Sequence, residues 1–149
     1  MKLLGPMRKL LPLLVALALA YVGVSQRQQP AAETVARAID DNALTQAISQ
    51  RRSQVQVSGQ GTVAKVLPED RRGSRHQRFL VRLSSGETVL IAHNIDVAAR
   101  IDALAPGDSI KFKGEYVWNA KGGVVHWTHH APDGHHAGGW IEHHDRHYE

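Results

Sequence analysis

Residues 55–66 read VQVSGQGTVAKV, and the period of this stretch decides the fold. Val55, Val57, Gly59, Gly61 and Val63 recur at every second place, the repeat of a strand with one face on a core. The alternation slips before Val66, with two glycines just ahead of the slip. A long strand with a glycine bend or bulge satisfies both observations, and such a strand is able to serve two halves of one sheet.

Downstream, LPEDRRGSRH reads as a loop, after which Phe79, Val81 and Leu83 alternate in a second strand. A Ser-Ser-Gly turn leads to a third strand, in which Val89, Ile91 and His93 alternate against Leu90 and Ala92. Asp96 is placed to cap a short helix whose Val97, Ile101 and Leu104 share a face, and Ala105-Pro106-Gly107-Asp108 stops it. Ile110, Phe112, Tyr116 and Trp118 alternate in a fourth strand, Asn-Ala-Lys-Gly-Gly turns the chain, and Val124 to Thr128 form a fifth. The predicted class is mainly β, a small five-stranded OB-like barrel with a short helix between strands 3 and 4. SH3-like and sandwich arrangements of the same strands are the alternatives.

Upstream, Pro30 opens a mostly polar helix through residue 50, with Val35, Ile39 and Ile48 roughly on one face; it docks on the domain or spaces it from a membrane. The N-terminal segment, 1–24, combines Lys2, Arg8 and Lys9 with an apolar run from Leu10 to Val24, the layout of an export signal or an N-terminal anchor. The positive-inside bias then sends the domain, residues 54–142, out of the cytoplasm. Residues 25–53 are linker and helix, and 143–149 a His-rich tail. The expected location is periplasmic or extracytoplasmic, with the membrane touched only by the N-terminal segment.

Of the 18 Lys and Arg residues in the 149-residue chain, three precede Leu10, so the remainder carries 15 against 14 Asp and Glu. Net charge therefore says nothing about nucleic acid; only local charge can. Cysteine is absent, which excludes disulfides, thiolate metal sites and cysteine nucleophiles.

The segments GSRHQRFLVRL, SGETVLIAHNID, GEYVWN and GGVVHWTHH, in this order, resemble the bacterial family known as domain of unknown function 3465, over about residues 54–142. The resemblance implies a small exported protein and nominates these four segments as its functional part. It brings no established activity with it.

OB-folds that take oligomeric ligands use the face of strands 2 and 3 with the loops before strands 2 and 5. The first loop and the strand after it carry Arg71, Arg72, Arg75, His76, Arg78 and Arg82 against Glu69 and Asp70. The second loop carries Trp118, Asn119 and Lys121. A basic groove with an aromatic at its rim suits backbone tracking plus stacking, the latter worth about 1–3 kcal/mol per base. The alternative is a solvated loop whose charges protect a sheet edge.

HWTHHAPDGHH, residues 126–136, holds five of the ten histidines. On a straight strand His126 and His130 would stand about 13 Å apart, too far to share an ion. A hairpin closed at Ala131-Pro132-Asp133-Gly134 would instead set His130 against His135 and His129 against His136, close enough for two imidazoles to hold zinc or another divalent metal. His126, His93, Glu115 or Asp133 would complete the set, making His126, His129, His130 and His135 the candidate ligands. Metal buffering, pH sensing and plain solvation are the competing readings. His143, His144 and His147 fall at the chain end, where fraying is expected, and Trp127 and Trp140 read as packing residues. Ser84 and Ser85 show no triad pattern.

Three functions follow. The leading one is an exported binding module for an anionic oligomer, nucleic acid or acidic saccharide, or for a nucleotide-like ligand. The second is a metal-dependent phosphodiesterase or nuclease with Glu115 or His76 as general base. The third is a structural envelope protein. Oligomeric state is not legible.

Overall fold

The structure, a computed structural model, describes residues 41–149. The signal or anchor, the linker and the opening of the upstream helix lie outside the described residues. Residues 41–49 are helical and form α1. Leu44 and Ala47 of α1 are buried in the core, with Ile48 packed against it, so this part of the helix docks on the domain.

Seven strands follow: β1 (Val55–Asp70), β2 (His76–Leu83), β3 (Thr88–Asn94), β4 (Ser109–Val117), β5 (Val124–His126), β6 (Trp140–His143) and β7 (Arg146–Tyr148). The first five close a ring in the order β1-β2-β3-β5-β4 and back to β1, with β3 and β5 parallel and the other pairs antiparallel. This is the OB-like order, and the enclosure is barrel-like.

The ring closes on the stretch that decides the fold. Gly61 pairs with Leu83 of β2 on one side and Ile110 of β4 on the other, and Thr62 does the same with Arg82 and Ser109. A β-carbon on Gly61 would collide with the Arg82 carbonyl oxygen and stand 2.7 Å from a methyl of Val81. Glycine is therefore required there by close approach of two neighbouring strands. The slip before Val66 is a real irregularity, between Val63 and Lys65 in the pairing with β2, and it re-aims the second half of β1.

Alternation places the core correctly. Val57, Val63, Phe79, Val81, Leu83, Val89, Ile91, Ile110, Phe112, Tyr116 and Val125 are all buried together, joined by Ile141 of β6.

Three expectations are corrected. First, residues 95–108 form turns rather than a helix between strands 3 and 4. Side chains of the sheet take their backbone groups. Gln77 of β2 donates its amide to the Ile101 carbonyl at 2.8 Å and accepts the Ile101 N–H at 2.9 Å. The His93 ring pairs with the Ala99 carbonyl at 3.1 Å. Ile101 still reaches the core, as its apolar character demands. Asp96 receives the backbone and side chain of Arg75 at 2.8 and 2.7 Å instead of capping a helix.

Second, β5 stops at His126, because Trp127 takes a left-handed backbone with φ of 51°, which breaks a strand. Residues 127–139 form a loop, not a hairpin of two ladders. Third, the chain end is ordered into the sheet. β6 pairs with Ile110–Lys113 of β4 beside the stretch taken by β5, and β7 pairs with β6. Ile141, His143 and Tyr148 are buried.

Candidate functional site

The outer face of β2 carries His76, Arg78, Leu80 and Arg82, whereas Gln77, Phe79, Val81 and Leu83 point into the core. Register sets His76 beside Asn94, Arg78 beside Ala92, Leu80 beside Leu90 and Arg82 beside Thr88. The result is a row of half-buried aliphatic groups with cations along one margin; Lys65, exposed on β1, faces Leu80 from the other side.

The arm joining β1 and β2 lies at the Asn94 end of this row. Its cations are largely engaged. Arg71 pairs with Glu69 at 3.2 Å, Arg72 with Asp70 at 3.7 Å, Arg75 with Asp96 at 2.7 Å, Arg78 with Asp70 at 3.8 Å, and Arg100 with Glu69 at 2.7 Å. Five guanidinium groups thus meet three carboxylates, leaving a surplus of two positive charges. The carboxylates are held below their ordinary pKa. At Glu69 partial burial pulls upward, but hydrogen bonds from Arg100 and Arg71 outweigh it. At Asp70 the Arg72 N–H is the main cause, and at Asp96 the Arg75 N–H followed by its side chain. His76 Nδ1 pairs with the Ser74 carbonyl at 2.9 Å.

The Trp118 turn lies at the opposite end, where Leu90 N–H bonds to the Gly123 carbonyl. Thr88 and Asn94, the ends of β3, are about 20 Å apart at strand rise. The two loops therefore bracket an extended face and do not converge on a point. Trp118 packs partly on the core, and Arg51 lies over its ring at 5.4 Å. Asn119 is committed to the turn, its side-chain oxygen accepting the N–H groups of Lys121 at 2.9 Å and Gly123 at 3.1 Å. Lys121 is exposed.

Arg82 differs from the arm. Among the described residues no hydrogen bond or ion pair engages its side chain. It lines an open hollow of about 320 Å³ with Gln60, Gly61, Thr62, Leu83, Ser84 and Ser109. Thr62, Ser84 and Ser109 give the hollow hydroxyl character that sequence reading does not anticipate, since these residues meet only where β1 crosses between β2 and β4.

The histidine segment is stacked, not paired across a hairpin. Trp127 lies between His126 at 4.7 Å and His136 at 4.6 Å, and His129 meets His136 edge-on at 4.9 Å between centroids. The expected approach of His129 and His136 is present. His130 and His135 have no ring contact among the described residues; His135 stands 3.7 Å from Asp133. His129 is buried, pairs through Nδ1 with the His130 carbonyl at 2.7 Å, and is pushed down in pKa chiefly by burial. His126 Nε2 is buried without a hydrogen-bond partner among the described residues, 3.4 Å from Glu115 Oε1. That contact is what cross-strand pairing of Glu115 with His126 brings about.

His93 is fully buried, with Nδ1 2.9 Å from the Thr128 hydroxyl and Nε2 on the Ala99 carbonyl. Nε2–H must donate to that carbonyl, so Nδ1 accepts the hydroxyl proton. Both nitrogens are spent, which takes His93 out of any ligand set. Among the described residues the group of three whose ligand atoms lie within 4.8 Å of one another is Asp108, His143 and His144. The set His126, His129, His130 and His135 is not such a group.

No curated protein matches the chain. A family model described as "Protein of unknown function (DUF3465)" matches residues 29–149. The match takes in α1, all five ring strands, of which β2 to β5 hold the four sequence motifs, and the β6–β7 hairpin, so the chain belongs to the DUF3465 family.

Proposed function

We propose that this protein is an exported, OB-like binding module that engages an anionic oligomer or nucleotide-like ligand along the outer face of β2 and β3. The observation that carries the reading is Arg82: a guanidinium unengaged among the described residues, in a hydroxyl-lined hollow, continuing a row with Arg78 and His76. An extended polyanion lying on this row would meet Arg82 first, the aliphatic Leu80 and Leu90 next, and the arm with its surplus of cations last. Phosphate or sulfate groups suit the guanidinium fork, and apolar faces of bases or sugar rings suit the leucines. The arm supplies long-range attraction, since paired charges still leave a net positive field. The N-terminal basic and apolar segment delivers the module outside the cytoplasm in this reading.

The test is fluorescence polarisation with a labelled single-stranded oligonucleotide and, in parallel, an acidic polysaccharide, using the full chain in mild detergent at low and at moderate salt. Binding that weakens with salt, and weakens further in Arg82→Ala with the circular dichroism unchanged, supports the reading. Absence of salt-dependent binding to both polymers overturns it.

A further inference from the structure

We propose that Asp108, His143 and His144 form a binding site for a divalent transition ion of the zinc class, one that fastens the C-terminal hairpin to the start of β4. The inference stands independently of the oligomer reading.

The three side chains come from two places that the sequence does not suggest are neighbours. Asp108 ends the Ala-Pro-Gly-Asp turn before β4, and His143 ends β6. Pairing of Ile110 with His143 brings them together. His143 Nε2 lies 2.8 Å from Asp108 Oδ2. His144 follows directly in the chain, and on an ordinary strand it would point to the opposite face. Here positions 144 and 145 are the two-residue loop of the β6–β7 hairpin, both left-handed, with φ of 48° and 59°, as a type I′ turn requires. This backbone turns His144 back to its neighbour, and the two rings stack at 3.9 Å. One ligand atom from each of the three residues then lies within 4.8 Å of the others.

The donor set fits the ion. Two imidazoles and one carboxylate are a common protein contribution to open zinc sites, in which bonds of about 2.0–2.1 Å set tetrahedral ligand atoms about 3.3 Å apart. The present separation of His143 and Asp108 is that of a hydrogen bond, in which a proton holds the place of the metal. A shift of about half an ångström converts this pair from one to the other, and rotation of the exposed His144 ring out of its stack on His143 is what brings the third nitrogen to the same ion. The environment holds His143 ready: it is almost fully buried, while Asp108 is partly exposed and His144 exposed. Asp108 is further fixed by accepting the Ala105 N–H at 2.8 Å, which orients the carboxylate as outer partners of metal ligands do. The exposed side of His144 leaves a coordination position to water.

The experiment is calorimetric titration of the full chain, purified without a histidine tag in mild detergent, with zinc chloride, repeated with cobalt(II) to read the visible absorption of a low-symmetry nitrogen and oxygen site. Three variants are compared. His144→Ala and Asp108→Asn test the site without emptying the buried His143 position, and a His135→Ala, His136→Ala double variant removes two of the five competing loop imidazoles. The expected result is one saturable equivalent in the native chain and in the loop variant. Affinity should fall at least tenfold in His144→Ala and in Asp108→Asn, with the circular dichroism of the metal-free protein unchanged. Native affinity in His144→Ala, loss of the equivalent in the loop variant, or no saturable binding by the native chain overturns the proposal.

Discussion

His93 and His143 are withdrawn from solvent to the same degree, at 0% and 2% exposure, yet they sit in opposite chemical company. Among the described residues His93 has neutral hydrogen-bond partners, the Thr128 hydroxyl and the Ala99 carbonyl, and burial pushes its pKa down. It is a neutral bracket that ties the β3–β4 connection to β3. His143 instead faces the Asp108 carboxylate, whose pKa is held down first by the Ala105 N–H and then by His143 itself. Equal burial thus produces a structural histidine in one place and an anion-paired, metal-capable one in the other. The partner decides the role, and burial sets only how much the partner matters.

The sharpest way to break this comparison is at the bracket. Gln77 is 3% exposed, and its amide satisfies both backbone groups of Ile101. Gln77→Leu leaves a buried donor and a buried acceptor without partners, at about 1–3 kcal/mol each. Urea unfolding should therefore show a loss of about 2–6 kcal/mol. His93→Leu should cost somewhat less, about 2–4 kcal/mol, because the Thr128 hydroxyl can rotate to another acceptor. A change under about 0.5 kcal/mol in either variant would show that the connection holds itself in place.

Acid is the next lever. Burial lowers the pKa of His93 and His129 in the folded chain, whereas the unfolded chain binds protons at the ordinary histidine value of about 6.5. The unfolded state therefore takes up more protons as pH falls below that value, and stability drops, by at most about 1.4 kcal/mol per pH unit for each group. The contribution is fully present above pH about 6.5. Unfolding midpoints measured at a series of pH values from about 7.5 down to about 5 should fall in sequence, and the fall should be shallower in His93→Gln. An equal slope in that variant would assign the acid sensitivity elsewhere. At still lower pH the depressed carboxylates, Asp108 among them, lose their contribution as they protonate.

The two histidines also mark what is legible in the sequence. Period two is a local property, and it places His93 on the inward face of a strand by the same signal that yields five ring strands and their core. The helix expected at Val97, Ile101 and Leu104 fails because periodicity shows which residues are buried and not what their backbone bonds to. Ile101 is buried as expected, but a glutamine from a distant strand replaces the helical partner. For His143 and His144, proximity to a terminus suggests fraying, and it masks the alternation of Ile141 and His143 that marks a strand. Their meeting with Asp108 depends on pairing between β4 and β6, strands far apart in the chain, which no local window contains. The loop histidines group by density in sequence, and a left-handed Trp127 undoes the ladder that such a grouping assumes.

His143→Leu sharpens the comparison at a smaller scale. Asp108 retains the Ala105 N–H and access to water, so only one side of the pair is orphaned. The expected cost is about 1–2 kcal/mol in urea unfolding, below that of His93→Leu. A larger cost than His93→Leu would mean that the carboxylate, and not burial alone, holds the hairpin onto β4 even without metal.

The smallest effect on stability, and the most informative for binding, is at the arm. Arg75 and Asp96 form an exposed pair, 55% and 38% accessible, so Arg75→Ala should leave the melting temperature unchanged within error. Glu69 is different in kind, because it holds both Arg71 and Arg100. Glu69→Gln keeps the side chain's shape while releasing two guanidinium groups to the solvent beside the β2–β3 face. If an anionic oligomer lies along that face and reaches the arm, each released group that meets a phosphate should steepen the dependence of log affinity on log salt by about 0.7. Arg82→Ala should flatten the same slope by a similar amount. An unchanged slope in Glu69→Gln beside a flattened one in Arg82→Ala would confine the ligand to the Trp118 end of the sheet. It would also favour the alternative reading of the arm, paired charges that protect a sheet edge.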